Sequence, residues 1–436
     1  MRNSFTYNNF DKLNLLKALL NISKGIKYIS ILISNIELGS SNLPKDYITY
    51  DIIAGVGSLD DLVSNENSLN KLSHFHSQNK DWLFGYISYD LKNELEKLTS
   101  HNKDNMRADN LFFFKPEFIL LLKNNQLEIQ SFSTKENCDK FIQSFNYLDI
   151  PYNRQKTNLQ AREDKLSYIN KINKIKEHIQ MGDIYEMNYC QEFFSNDVKL
   201  DPQSIFFELN SKMESPFSSF LKLDKKYIMS SSPERFLRKV STQILSQPIK
   251  GTIRRGKYKN EDTILKHELT NSKKDIIENI MITDLVRNDL SIYAKNNSVK
   301  VDELCKVYSF KNIQQMISSI SSEITPNTNF SKLLSVTFPM GSMTGAPKIR
   351  AMQLIELFEE FKRGIYSGSV GYITPAADFD FNVIIRTILY NNDNNYLSIG
   401  VGGAITINSD PNEEYKECIV KAKPIFEILN FKMNNE

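Results

Sequence analysis

The sequence predicts a mixed α/β (α+β) protein in which layered β-sheets are sandwiched between helices. Three observations predict it. Of 436 positions, 41% are apolar and 24% charged, the balance of a chain that buries a core in water. Short apolar or alternating runs of strand type follow one another with stretches of helical period. Glycine-containing turns then concentrate between Gly341 and Gly403, where strand-like and helix-like stretches alternate closely. The length exceeds a usual single core, so the expectation is two lobes or one unusually large layered unit.

Taken in order, Tyr28–Ile33 and residues 111–122 read as buried strands. The run FGYISY, residues 84–89, alternates aromatic with small residues and reads as a half-buried strand. The stretch 153–163 is polar and aperiodic. It reads as a linker between an N-terminal region, 1–152, and a second domain, 165–428. After it, Leu166, Ile169, Ile172, Ile175 and Ile179 recur at spacings of three and four, lining one helix face. Asp164 is placed to cap that helix and Gly182 to end it. Residues 274–279 (KDIIEN) and 413–421 also read as helical. Asp275 and Glu278 share a face, as do Glu414 and Glu417, with Lys421 one turn on. The run DFNVIIRT, residues 380–387, reads as a strand delivering Arg386.

Composition narrows the function. The net charge is +2, from 54 basic and 52 acidic residues, which gives no reason to invoke nucleic acid or a charged membrane. Four scattered cysteines and five histidines form no zinc-ligand spacing and no disulfide framework. The first residues lack the apolar core of a signal peptide, and the early apolar run is too short to span a bilayer. A cytoplasmic protein is expected.

Several segments carry chemistry. In QPIKGTIRRG, residues 247–256, Lys250 stands between a proline and a glycine at a strand end. Nearby arginines and partial burial are expected to lower its pKa and leave an amine able to attack. In SSSPERFL, residues 230–237, Glu234 is a candidate general acid. Taken alone, a lone lysine is more often solvated and a Glu-Arg pair is more often superficial. The two carboxylate-bearing helices could hold Mg²⁺ with open positions for water and a substrate carboxylate, or be two solvated acidic faces. Arg386 suits a bidentate carboxylate clamp. FPMGSMTGAPK, residues 338–348, fails as a phosphate loop because Pro347 removes an amide donor. GVGGA, residues 400–404, offers bare backbone for close approach.

In this order, and with GDIYEMN (182–188) and DLVRNDL (284–290), these segments resemble the chorismate-utilising enzymes. That family includes the first components of anthranilate and aminodeoxychorismate synthases and the isochorismate and salicylate synthases. The resemblance is strong over residues 165–425 and loose before them. It implies a chorismate pocket with one Mg²⁺, held by Glu278 and Glu417 and supported by Asp275 and Glu414. It implies that Tyr366, Arg386, Gly402 and Gly403 hold the enolpyruvyl carboxylate, that Gly251 and Thr252 line the ring, and that Glu234 protonates the departing hydroxyl.

Lys250 points to the amine-transferring subfamily on the route to p-aminobenzoate and folate, since anthranilate synthases usually carry alanine there. The implied chemistry is a lysine adduct, resolved by ammonia. Glu186 and Asn188 fall on the ammonia side. Glu186 departs from the family's usual lysine or glutamine, and Gln315 from a common histidine. Ile33 stands where tryptophan-sensitive anthranilate synthases carry an acidic residue. A glutamine amidotransferase partner is expected to supply ammonia, because no glutaminase segment is legible. The competing readings are an anthranilate synthase component I and a non-catalytic chorismate-binding subunit.

Overall fold

The computed structural model describes residues 2–36, 47–152 and 156–433. Residues 153–155 of the expected linker fall outside that range. Two antiparallel sheets form the frame, one of 12 strands and one of 10. In the large sheet, alternate residues part to opposite faces, as the two-residue strand period requires. Ala54, Leu120 and Leu122 turn toward the helices Lys12–Ser23, Lys165–Gln180, Pro202–Met213 and Pro411–Ile428. Their neighbours Ile53 and Leu121 pack with Leu83, Phe113 and Phe381 of the small sheet. The helix Lys273–Ser291 covers the small sheet through Ile276, Ile282 and Val286. The order is helices, sheet, sheet, helices, and it bears out the layered α/β expectation.

The two sheets are each built from both sides of the 153–163 stretch. Tyr28–Ile33 pairs with Phe217–Leu223 in the large sheet. Leu83–Ile87 pairs with Ser369–Ile373 in the small one. Neither 1–152 nor 165–428 owns a sheet, so the layered alternative describes the architecture.

Three local expectations change. Residues 111–122 form two strands, Leu111–Lys115 and Phe118–Lys123, which belong to different sheets. Pro116 breaks the ladder between them. The strand Leu83–Ile87 is buried on both faces, not one, because Leu83 and Ile87 on one face and Phe84 and Tyr86 on the other all pack into core. In the helix Lys165–Gln180, Ile172 and Ile175 are buried, but Leu166 is exposed and Tyr168 fills the first turn instead. Its cap is as expected: Asp164 accepts from the Ser167 amide at 2.7 Å. Gly182 follows with φ +84°.

Candidate active site

Among the described residues the chain passes six times from one sheet to the other, and two of these crossings lie side by side. Lys226–Ser232 of the large sheet continues through Pro233 and Glu234 into Arg235–Val240 of the small sheet. Phe379–Val383 of the small sheet continues through residues 384–386 into Thr387–Asn391 of the large one. The crossings are fastened together: Val383 N donates to the Glu234 carbonyl at 3.0 Å and Ser231 N to the Arg386 carbonyl at 3.1 Å. Such corners are where strands switch sheets. Arg386 is therefore not within a strand, as its sequence context predicts, but at the bend, with φ 54°. A non-glycine residue held there costs about 1–3 kcal/mol and persists only where its surroundings impose it. Arg386 Nη1 donates to the Lys421 carbonyl at 2.6 Å. Burial presses its guanidinium downward, while Tyr366 and Glu417 oppose the shift. Tyr366 and Glu417 are thus near neighbours of this arginine.

Glu234 is 5% exposed. Burial raises its carboxyl to about 7, although Ser342, Lys250 and the Ile249 amide favour the charged form. A carboxylic acid with that affinity for its proton is a competent general acid near neutrality.

Lys250 lies at a bulge. The Ile249–Arg254 strand pairs with Ile313–Glu323, and the register slips between Ile249 and Thr252. Gly251 takes φ +86° at the slip, and a methyl there would stand 2.9 Å from Asp275 Cβ. Only glycine lets this strand meet the first turn of the helix Lys273–Ser291. Thr252 is exposed and pairs opposite Gln315, whose Oε1 is buried without a partner.

The electrostatics of Lys250 reverse the sequence expectation. Burial pushes its pKa down, but Glu186, Glu278, Glu234 and Glu417 together carry it above the ordinary lysine value. The arginines that follow it are engaged elsewhere: Arg254 reaches Glu261, and Arg255 grips Asp262 at 2.7 and 2.8 Å. Opposite charge, not neighbouring cations, surrounds the amine.

Glu186 opens the strand Glu186–Ser195 and is 1% exposed; its Oε2 has no partner, and burial raises its carboxyl despite Lys250. Asn188 is tied to the 340–344 turn: its Nδ2 donates to the Ser342 carbonyl at 2.9 Å. That bond gives Asn188 a structural task independent of ammonia.

The carboxylate helices do face one another. Burial raises Glu278 to about 7, against the pull of Lys250 and Lys274, and its Oε1 is buried without a partner. Glu417 is drawn the other way, to about 2, by Lys421 and then Lys274. Lys421 Nζ meets Glu417 Oε1 at 2.8 Å and the Gly402 carbonyl at 2.9 Å. Lys274 Nζ meets Glu414 Oε1 at 2.9 Å and Glu417 Oε2 at 3.5 Å. A methyl on Gly403 would lie 3.2 Å from Lys421 Nζ and 3.5 Å from Glu414 Oε2, so bare backbone lets the Lys421 ammonium lie beside the acids. For Gly402 the close neighbours are the Tyr189 carbonyl and Cys190 Sγ, which makes that glycine a strand-packing residue. Tyr366 lies flat against Gly400, with its hydroxyl 3.7 Å from Cys190 Sγ.

Four hard oxygen-donor side chains and an orphaned buried carboxylate oxygen suit a small divalent cation. Among the described residues, however, no three His, Cys, Asp or Glu side chains are drawn closely enough together to hold a metal ion. Lys274 and Lys421 occupy oxygens of Glu414 and Glu417 instead.

One structural device is absent from the sequence reading. Arg363 and Glu359, both with side chains 1% exposed, form a pair at 2.6 Å. Glu359 accepts from Cys190 N at 2.9 Å, while Arg363 donates to the carbonyls of Asn188 at 2.9 Å and Met343 at 2.7 Å. The pair pins the strand bearing Glu186 to the turn bearing Ser342. Nothing in the local sequence separates it from an ordinary i, i+4 helix pair.

Fold and site together define an enzyme-type constellation where two sheets meet, combining a half-buried amine, a buried carboxyl with raised proton affinity and two carboxylate helices joined by ion pairs. The chain belongs to the chorismate binding enzyme family, which matches residues 50–427. It is 38% identical over 274 residues to a probable chloroplastic aminodeoxychorismate synthase of Oryza sativa subsp. japonica, covering 62% of this chain but 30% of that protein. It is 37% identical over 270 residues to aminodeoxychorismate synthase component 1 of Escherichia coli, covering 62% of this chain and 59% of the relative. It is 32% identical over 359 residues to anthranilate synthase component 1 of Saccharolobus solfataricus, covering 81% and 82%. The fold is that of anthranilate synthase component I from Streptococcus pneumoniae, with a TM-score of 0.75 at 21% identity over 89% of this chain and 94% of that one. The chain thus spans only about a third to three-fifths of the aminodeoxychorismate synthases it matches. No described helix is long and apolar enough to cross a membrane.

Proposed function

We propose that this chain is the chorismate-aminating component of an aminodeoxychorismate synthase, forming 4-amino-4-deoxychorismate on the route to p-aminobenzoate. The observation that carries the reading is Lys250, a half-buried amine at a bulge that feels the charges of Glu186, Glu278 and Glu234. A lysine so placed is positioned to act as a nucleophile once it loses its proton, and Glu186, like Glu278, is a neighbouring carboxylate with a free oxygen to receive it.

The steps balance as two displacements. The Lys250 amine bonds to ring C2 and gives up a proton to Glu186, both ring double bonds shift, and the C4 hydroxyl leaves as water with the proton of Glu234. Ammonia then bonds to C4 and returns a proton to Glu234, both double bonds shift back, and the C2–N bond breaks to return Lys250, which takes its proton back from Glu186. Arg386 and Tyr366 orient the enolpyruvyl carboxylate, and Asp275, Glu278, Glu414 and Glu417 would hold Mg²⁺. Bound there, the metal would orient the ring carboxylate and offset its charge. Ammonia comes from solution or from a glutaminase partner; the term component 1 in the relative's name supports a second component. A cytoplasmic setting is consistent with the four cysteines being free.

A second reading, anthranilate synthase component I, is favoured by the longer alignment with the Saccharolobus relative. Product analysis separates the two. The purified chain with chorismate, Mg²⁺ and an ammonium salt should yield aminodeoxychorismate. Anthranilate with pyruvate would overturn the assignment.

A further inference from the structure

The metal-ligand assignment leaves Lys274 unexplained. It stands in the first turn of the helix Lys273–Ser291, where the helix dipole disfavours a cation. Its ammonium reaches across to the Pro411–Ile428 helix and bonds Glu414 and Glu417 together. Glu414 is nearly sealed, its side chain 3% exposed, whereas Lys274 and Glu417 are each 45% exposed. Lys274 therefore stands at the open side of the carboxylate set and contacts the same oxygens a divalent cation would need. Across the gap Glu278 Oε1 remains without a partner.

We propose that Lys274 is a resident counter-cation of the metal site: its ammonium holds Glu414 and Glu417 when no metal is bound, and it is displaced as Mg²⁺ enters. The inference rests on the metal assignment made above. Two opposed acidic helices without a bridging cation would repel one another, and a charged side chain on a flexible stem supplies that bridge without fixed geometry. Metal entry then exchanges one ammonium for one dication, and the Lys274–Glu414 contact is what the metal must break. The residue is a positioning residue: it acts on the ligands and touches no substrate.

The test compares the parent with Lys274→Met and Lys274→Arg by Mg²⁺ calorimetry and Mn²⁺ electron paramagnetic resonance, without chorismate, after circular dichroism has shown the fold intact. Removing a half-exposed competitor should tighten metal binding by about 3- to 10-fold in Lys274→Met. Lys274→Arg should bind at or below parental affinity. Metal-free Lys274→Met should melt below the parent, and saturating Mg²⁺ should close that difference. Weaker or unchanged metal binding by Lys274→Met would overturn the proposal, with Lys274 then supporting the loaded site or irrelevant to it. Binding by neither parent nor variant would overturn the metal assignment together with it. Product identity is not read in any arm, so failure of the amination reading remains distinguishable.

Discussion

Glu234 and Lys250 illustrate how one site makes two groups hold their protons more tightly for different reasons. Burial dominates at Glu234, raising it to about 7. At Lys250 burial acts to neutralise the amine, and four carboxylates outweigh it. As a general acid Glu234 works only when protonated, so that arm of the rate profile is full below about pH 7 and falls as pH rises through it. Glu234→Gln should lower kcat by about 10²- to 10⁴-fold and remove that falling limb. A variant retaining both rate and limb would show that another group supplies the proton. The identities of these residues were legible in the sequence, but the charge state of Lys250 was not. Arg254 and Arg255 lie close to it in the chain and reach different partners in space.

Among the elements, the paired sheet crossings decide what the site contains. Glu234 and Arg386 come from separate strand pairs, yet the bonds from Val383 and Ser231 hold their backbones as one corner. The sequence marks the first crossing with Pro233 but gives the second an unbroken apolar run, Val383-Ile384-Ile385, that reads as continuous strand. The break is imposed by the need to enter the other sheet, which is tertiary information. The Arg363–Glu359 pair fixes the opposite wall. Arg363→Met leaves Glu359 buried and unpaired, and should cost about 3–5 kcal/mol in urea unfolding. It should also loosen Asn188 and Met343, whose carbonyls Arg363 holds. A loss under about 1 kcal/mol would mean that water replaces the guanidinium, as at an exposed pair.

Across the whole molecule, the site depends on the N-terminal strands even though the motifs lie after them. Ser88 Oγ and Gly364 N make a reciprocal clasp: the hydroxyl donates to the Gly364 carbonyl at 2.8 Å, and the Gly364 amide donates to Asp90 Oδ2 at 2.9 Å. That clasp sits two residues before Tyr366. Periodicity in the sequence marks the mixed layers and a few of the strands, Tyr28–Ile33 among them. It could not reveal that residues before and after 153–163 alternate within each sheet, because pairings such as Gly85 with Gly371 leave no local trace. A fragment starting at residue 156 would expose the edges of Phe217–Leu223 and Ser369–Ile373. It should be insoluble or lack a cooperative unfolding transition. A fragment that folds and binds Mg²⁺ would show that the C-terminal part is self-sufficient.

The central claim is that Lys250 forms a bond to the substrate, and intact-protein mass spectrometry tests it most directly. The chain is mixed with chorismate and Mg²⁺ without ammonia, quenched, and mapped by peptide. The account predicts a mass increase of one chorismate less one water, located on Lys250, lost on adding ammonium and absent from Lys250→Ala. Aminodeoxychorismate formed by Lys250→Ala at the parental rate, with no adduct on the parent, would show that ammonia attacks the ring directly and would contradict it.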